Sequence, residues 1–423
     1  MEYSIKEKNS KVYDFFVFLF AASLIFNSTL YNSIHFLSVL SKILIFSCSI
    51  VLFIIGISYL KSHLEDLVRI YGFYLLISVI LFVEQILRLQ FPLSKFLLLI
   101  IFPLLIVPFI LKEKYQDSKL FFQDFCNIMT FIALLSLFFT ILGLFGFPLN
   151  SSINSLWSGG TVVGGYFHLH FFPGGTQKIP FLFFNLLRNS SFFPESPIFG
   201  YYLSLALVFQ NFLINKDFLD KKSIILYITI FTTASTTALL VAFGTFVIKS
   251  MKTISNRDVR LLYSFFLIVL IIFSLYYIFQ AKLKNSIGSV SIRSDDFKAA
   301  MHAFADHPIL GNGFNNLTSI EAYMDANRLL YDPQSVAAGI NRAGFSLGLP
   351  EMLALGGIYF VFFWLILPSC LYIKKYYKTS LIWLPVFNVF LVSLLIINDS
   401  YIFIFTIIYF YVYGMANTIK IDQ

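Results

Sequence analysis

The membrane topology of this chain depends on one apolar run, 224-IILYITIFTTASTTALLVAFGTFVI-248. The run is long enough for one membrane span, which takes about 20 residues. Its centre, Thr232 to Thr237, reads TTASTT, and small hydroxyl residues can satisfy the backbone groups of a broken helix. We interpret the run as two half-helices, about 224–231 and 238–248, that meet at mid-depth and return to one side. A single uninterrupted span is the alternative.

The composition of the whole chain indicates an integral membrane protein. Of 423 residues, 58% are apolar and 12% are charged, whereas soluble proteins have roughly 45–50% and about 25%. These values exclude soluble, disordered and collagen-like chains. The apolar runs are too long for barrel strands of about 10 residues. We therefore predict an all-α membrane protein.

Ten apolar runs are long enough to be full spans, and with the two half-helices they make 12 segments. The runs are 15–30, 39–60, 69–83, 95–111, 125–147, 197–213, 260–279, 345–372, 381–397 and 401–418. Two long stretches between them, 148–196 and 280–344, are predicted to be loops. We expect one polytopic domain over residues 1–423.

Lysine and arginine counts predict the orientation. They concentrate at the N-terminus and in every second loop, as on the cytoplasmic side of membrane proteins. The basic segments are 1–14, 61–69, 112–119, 216–222, 249–260 and 373–380. If 224–248 returns to its starting side, both termini are cytoplasmic and both long loops are extracytoplasmic. This bias also accounts for the net charge of +8, so no nucleic-acid partner is predicted.

The first long loop carries a candidate phosphate site at its end. Arg188 and Glu195 precede Pro197, and we predict that a helix starts there with Ser196 as its N-cap. Free amides at a helix N-terminus and an arginine together favour a phosphate. An ion pair between Arg188 and Glu195 that only holds the loop is the alternative.

The second long loop carries a similar arrangement. Arg293 precedes Ser294, the predicted N-cap of a short amphipathic helix that stops at His307-Pro308. A cation at that position opposes the helix dipole unless an anion lies nearby. Either the acidic pair Asp295-Asp296 or a ligand phosphate can be that anion.

The outer loops hold further cations but no convincing metal site. Lys178 and Arg342 complete the cationic set. His168 and His170 can share a face of a strand, but no acidic or cysteine ligand is near them in the sequence. The three cysteines lie in or next to apolar runs, which argues against zinc. We predict no metal and no cofactor. Several cations beside a bilayer indicate a lipid-linked diphosphate substrate.

Two motifs in these loops resemble the bacterial O-antigen polymerase and O-antigen ligase superfamily. The first is RNSSFFPESP from Arg188 to Pro197, and the second runs from Arg293 to the HPILGNG turn at 307–313. The TTASTT segment is similar to the superfamily's Thr-Ser-Arg segment between half-helices but has no arginine. Ligases of the superfamily carry a histidine before the span that follows the second loop, and this chain has none after His307.

The resemblance implies a metal-independent glycosyltransferase in the bacterial cytoplasmic membrane. The implied activity is a polymerase that joins polyprenyl-diphosphate-linked oligosaccharide repeats into O-antigen, capsule or exopolysaccharide. A ligase-type transferase and a flippase for lipid-linked oligosaccharides are the alternatives. The diphosphate would contact the four cations, and a general base would deprotonate the attacking hydroxyl. The cations are Arg188, Arg293, Arg342 and Lys178, and the candidate bases are Glu195 and His307. A chain-length regulator and a flippase are further implied partners.

Overall fold

The protein is a bundle of apolar helices with two small sheets, seen in a computed structural model. The structure describes residues 2–60, 63–87, 92–155, 161–172, 178–181, 184–214, 217, 219–256, 258–260, 262–263, 269, 287–325, 345 and 347–416. The long helices are α1 (Glu2–Phe26), α2 (His35–Tyr59), α3 (Leu64–Leu87), α4 (Leu93–Tyr115), α5 (Leu120–Leu144), α6 (Ser196–Ile214), α7 (Lys221–Thr233), α8 (Thr236–Thr253), α9 (Ile287–Asp306), α10 (Gly348–Tyr376), α11 (Ser380–Leu394) and α12 (Tyr401–Met415).

The helices are those of a multi-pass membrane protein. Six of the described helices, α2 to α6 and α10, contain segments long and apolar enough to cross a bilayer, and α11 and α12 are shorter apolar helices. Every predicted run except 260–279 coincides with a helix, and most of that run lies outside the described residues. The helical membrane class predicted from composition is confirmed.

Helix α12 lies at the centre of the bundle. Its residues are apolar on all sides and buried from Tyr401 to Val412, as expected of a helix surrounded by other helices. It packs against α4 and α10. Aromatic rings line both contacts, with the centroids of Phe109 of α4 and Phe405 6.5 Å apart and those of Tyr372 of α10 and Phe410 5.0 Å apart.

Helices α7 and α8 form the hairpin predicted from the TTASTT run. The ring of Tyr227 in α7 lies 6.2 Å from the ring of Phe246 in α8, so the two helices run side by side. Lys249, near the end of α8, interacts electrostatically with Asp220, which caps the start of α7. Both ends of the hairpin therefore lie on the same side, and the alternative of one straight span is wrong.

A cavity links the end of this hairpin to α11. It is lined by Ile248, Met251 and Lys252 of α8, by Arg260, and by Trp383 of α11. The basic segment after α8 therefore lies on the same side of the bundle as the start of α11. This arrangement agrees with the charge pattern, which groups 249–260 with 373–380.

The first long loop contains two antiparallel sheets, which the all-α prediction missed. Strands β1 (Ser151–Ser155), β2 (Thr161–Tyr166) and β3 (His170–Phe171) form one sheet in that order, and β4 (Lys178–Phe181) and β5 (Phe184–Leu187) form the other. The first sheet pairs Ser151 with Gly165 and then Tyr166 with His170. Strands this short need neighbouring elements to be stable, so a single-sequence pattern carries little signal for them.

Candidate anion-binding site at the hairpin apex

The apex of the α7–α8 hairpin packs against the first turns of α6. Ala234 ends α7 in the left-handed conformation, with φ 48° and ψ 28°, and Ser235 is the N-cap of α8. A Cβ on Gly200 of α6 would lie 2.8 Å from the Cβ of Ala238 and 3.2 Å from that of Ser235. Only glycine permits this approach. The apex thus lies level with a point about one turn after the start of α6.

Arg188 is attached to the C-terminal end of α7. Its Nε donates a hydrogen bond to the carbonyl oxygen of Thr233 at 3.3 Å, and the Asn189 N–H donates to the carbonyl of Thr232 at 3.0 Å. The last carbonyls of a helix have no partner within the helix, so these bonds satisfy both. The negative end of the helix dipole also favours a cation at this position.

The side chain of Asn189 holds the arginine segment in place. Its Nδ2 donates to Ser136 Oγ of α5 at 3.1 Å and to Thr232 Oγ1 at 3.0 Å, and its Oδ1 accepts from the Ser191 N–H at 3.0 Å. Ser191 has a positive φ of 52°, and Asn189 is fully buried. This residue therefore joins α5, the hairpin apex and the loop before α6.

Arg188, Glu195 and Arg293 form one group of charges. Burial lowers the pKa of Arg188, the Glu195 carboxylate raises it, and the Arg293 guanidinium lowers it. The structure therefore brings together arginines from both long loops. Glu195 is itself the N-cap of α6, and its carbonyl accepts from the Phe199 N–H at 3.1 Å. The predicted N-cap, Ser196, is instead the first residue of the helix.

The predicted cap at Ser294 is wrong. Helix α9 begins at Ile287, so Arg293 and Ser294 lie within it and are exposed. The N-terminal amides of α9 therefore do not lie beside Arg293. The packed face of the helix holds Asp296, Ala299 and Ala303, all fully buried. This close contact with α10 favours the longer helix over the local capping signal.

His307 lies away from the arginines. It follows Arg293 by 14 residues, just past the end of α9, which puts it about 20 Å along the helix. Its HPILGNG turn docks on α10, where the N–H groups of Ile358 and Tyr359 donate to the carbonyls of Pro308 and Ile309 at 2.9 and 3.0 Å. The motif therefore has a structural role.

Gly357 makes this docking possible. It interrupts α10 with φ 66° and ψ −175°, a conformation that essentially only glycine adopts. A Cβ there would lie 2.3 Å from the carbonyl oxygen of Ile309. Residues 358–376 then form a segment of about 28 Å, which matches a hydrocarbon core of about 30 Å.

The roles of the remaining two predicted cations stay predictions. Lys178 starts strand β4, and Arg342 lies outside the described residues. Sequence reasoning missed Asn189, although its position next to Arg188 and the hydroxyl-rich apex are visible in the sequence. Among the described residues, no three His, Cys, Asp or Glu side chains are placed to hold a metal ion together.

The arrangement is suited to binding an anion. Arg188 interacts with Glu195, the N-cap of the 19-residue helix α6, and with the Arg293 guanidinium, which repels it. An anion between the arginines would relieve the repulsion, and guanidinium groups bind phosphate oxygens in pairs. The helix N-terminus adds amide donors and a positive dipole end.

Residues 223–340 match the family model described as O-antigen ligase. The match supports the O-antigen polymerase and ligase superfamily. The resemblance that the two motifs indicated is thereby confirmed, and membership supports a glycosyltransferase-like enzyme that acts on lipid-linked oligosaccharides in a membrane. No curated protein and no solved structure matches the chain significantly.

The superfamily match covers only part of the candidate site. It includes the α7–α8 hairpin, Arg293 and His307, whereas Arg188 and Glu195 precede it and Arg342 follows it. The contact between Arg188 and Thr233 joins the unmatched segment to the matched one.

Proposed function

We propose that this protein is a polysaccharide polymerase of the superfamily. It joins polyprenyl-diphosphate-linked oligosaccharide repeats at the outer face of the bacterial cytoplasmic membrane, with both termini in the cytoplasm. The observation that carries the proposal is the position of Arg188, which is hydrogen-bonded to the hairpin apex and lies within electrostatic range of Glu195, the N-cap of α6, and of Arg293. The product would be an O-antigen, capsule or exopolysaccharide.

The chemistry follows from the charges of this group. A hydroxyl of one lipid-linked repeat attacks the anomeric carbon of another, and the polyprenyl diphosphate leaves as an anion. Arg188 and Arg293 would stabilise the negative charge that develops on the leaving group, so a metal ion is not required. Lys178 and Arg342 are further candidate contacts for the diphosphate or the glycan.

Glu195 is the first candidate for the general base. Its carboxylate stabilises the charged form of Arg188, so orienting that arginine is its second candidate role. His307 is the second candidate base, but its distance of about 20 Å along α9 from Arg293 argues against direct participation at the same diphosphate.

Replacing each arginine by lysine tests the proposal. Arg188→Lys and Arg293→Lys should each lower polymerisation about 10²–10³-fold, because an ammonium is a point charge that cannot make paired hydrogen bonds. Arg260→Lys, the same change at the other end of the bundle, should have no effect. Polymer length on gels, at matched protein levels, is the readout. Normal polymer from both variants would overturn the diphosphate-binding role.

A ligase-type transferase is the second candidate, favoured by the family description of the match. Deletion of the gene separates the two. Loss of a polymerase leaves single repeats on the acceptor, whereas loss of a ligase leaves long chains on the lipid carrier. Lipid-linked repeats trapped on the cytoplasmic side would instead indicate a flippase.

A further inference from the structure

Helix α5 presents a continuous apolar stripe to lipid. Its exposed side chains recur at helical spacing and are Phe131, Leu134, Phe138 and Ile141, followed by Phe145 just past the helix. Before the stripe, Asn127 accepts a hydrogen bond from Lys222, a polar contact that suits a membrane surface. From Asn127 to Phe145 the rise is about 27 Å, close to the full thickness of a bilayer core. The whole stripe is therefore needed to span.

The turn between β2 and β3 folds back along this helix. The ring of Phe139 stacks on Tyr166 at 5.9 Å and lies 6.2 Å from the ring of Phe167. Phe139 is five residues before the end of α5, which is about 8 Å along the axis. The turn thus lies beside the lipid-facing part of α5, and not beyond its end.

The three N–H groups of the turn, and its His168 carbonyl, are paired within the protein. The Phe167 N–H donates to Asn150 Oδ1 at 2.8 Å, and the His168 N–H donates to Ser151 Oγ at 3.0 Å. The Leu169 N–H donates to the carbonyl of Tyr166 at 2.8 Å, and the His168 carbonyl accepts from Tyr31. Lipid requires such internal pairing, because it offers no hydrogen bonds to a peptide group.

The same turn directs apolar side chains outward. Phe167 is 62% exposed and Leu169 is 46% exposed. Phe167 and His168 both have positive φ, 52° and 57°, which is strained for residues other than glycine and is retained when surrounding contacts over-determine it. The bonds from Asn150 and Ser151 provide those contacts. They hold Phe167 at the tip of the hairpin despite the strain.

We propose that the turn Phe167–Leu169 is inserted into the bilayer leaflet at the C-terminal end of α5. The exposed Phe167 and Leu169 side chains, which flank the exposed His168, continue the lipid-facing stripe of that helix, and the N–H groups of the turn are paired internally. The turn is tied to the arginine segment, because the Phe171 N–H donates to the carbonyl of Ser191 at 2.7 Å and Ser190 Oγ donates to the carbonyl of Phe171 at 2.9 Å. If the proposed function holds, the inserted turn also sets the height of Arg188 above the leaflet.

Depth-dependent fluorescence quenching tests the insertion. The full-length protein, with Cys370→Ser to remove the exposed native cysteine, receives Phe167→Cys or Leu169→Cys and an environment-sensitive nitrobenzoxadiazole label. It is then reconstituted in phosphatidylcholine vesicles. Asn154→Cys is the matched control, since Asn154 is exposed at the other end of the same sheet.

Insertion predicts blue-shifted emission at 167 and 169, and several-fold stronger quenching by doxyl-labelled lipids than at 154. Iodide in the buffer should quench the label at 154 and spare the other two. Equal iodide quenching at all three positions, in protein with an unchanged thermal midpoint, would overturn the proposal. Because this readout does not depend on catalysis, its failure leaves the polymerase proposal untouched, and the arginine variants leave the insertion untouched.

Discussion

Replacing Asn189 by alanine should disable the enzyme without removing any charge. The side chain is fully buried and makes three hydrogen bonds, two donated by Nδ2 and one accepted by Oδ1. Ser136 and Thr232 still donate to their own helices, at 2.9 and 2.7 Å, when Asn189 is lost. The Ser191 N–H loses its acceptor, however, and a buried donor without a partner costs about 1–3 kcal/mol.

The total loss is about 2–6 kcal/mol when the net value of the two donated bonds is included. We expect this loss to loosen the segment that carries Arg188. A misplacement of about 1 Å at a catalytic group can cost 10²-fold in rate. The turnover of Asn189→Ala should therefore fall by up to about 10²-fold.

The assay is polymer formation from lipid-linked repeats by purified protein, with kcat and KM measured separately. Because the Arg188 side chain is still present, KM should change little, whereas kcat should fall. Thr232→Ser, which keeps the hydroxyl partner, should be close to the wild type, and Asn154→Ala on the exposed face of β1 should be unaffected. Full activity of Asn189→Ala would refute the positioning role. If the loss of activity only matched the loss of folded protein, Asn189 would have a structural role alone.

Three further predictions concern the framework of the site. Gly357→Ala should destabilise the protein by at least about 1–3 kcal/mol through its positive φ alone. Gly72→Ala, where a Cβ meets nothing within 4 Å, should be neutral or stabilising. The thermal midpoints of the two variants test this difference. Burial lowers the pKa of His170 to about 3, so the wild type should lose stability as pH falls from about 6.5 towards 3, by about 2–3 kcal/mol at pH 4.5. His170→Phe should remove that acid sensitivity and His168→Phe should not, as hydrogen exchange of strand β2 can measure. A cysteine at Ser255 should react with an impermeant reagent only from the cytoplasmic side, and reaction from outside would contradict the orientation.

Some properties of the α7–α8 hairpin were predictable from the sequence, and others were not. Its position was predictable because TTASTT interrupts an apolar run, and its return was predictable because lysines follow it. Its extent and the level of its apex along α6 were not predictable. The two helices extend over 221–233 and 236–253, beyond the predicted bounds, because their flanking residues pack on α6. Only the contact of Gly200 with Ser235 shows where the apex lies along α6.

The candidate site was likewise predictable only in part from the sequence. Composition, run lengths and charge counts determined the membrane class, because burial of apolar surface and basic flanks are properties of short segments. The motifs also singled out Arg188, Glu195 and Arg293. Tertiary structure alone decided that these three residues interact, since their proximity depends on long-range packing of two loops. Likewise, only the fold shows that Asn189 anchors Arg188, because its partners come from α5 and α7, distant in the chain and joined by packing.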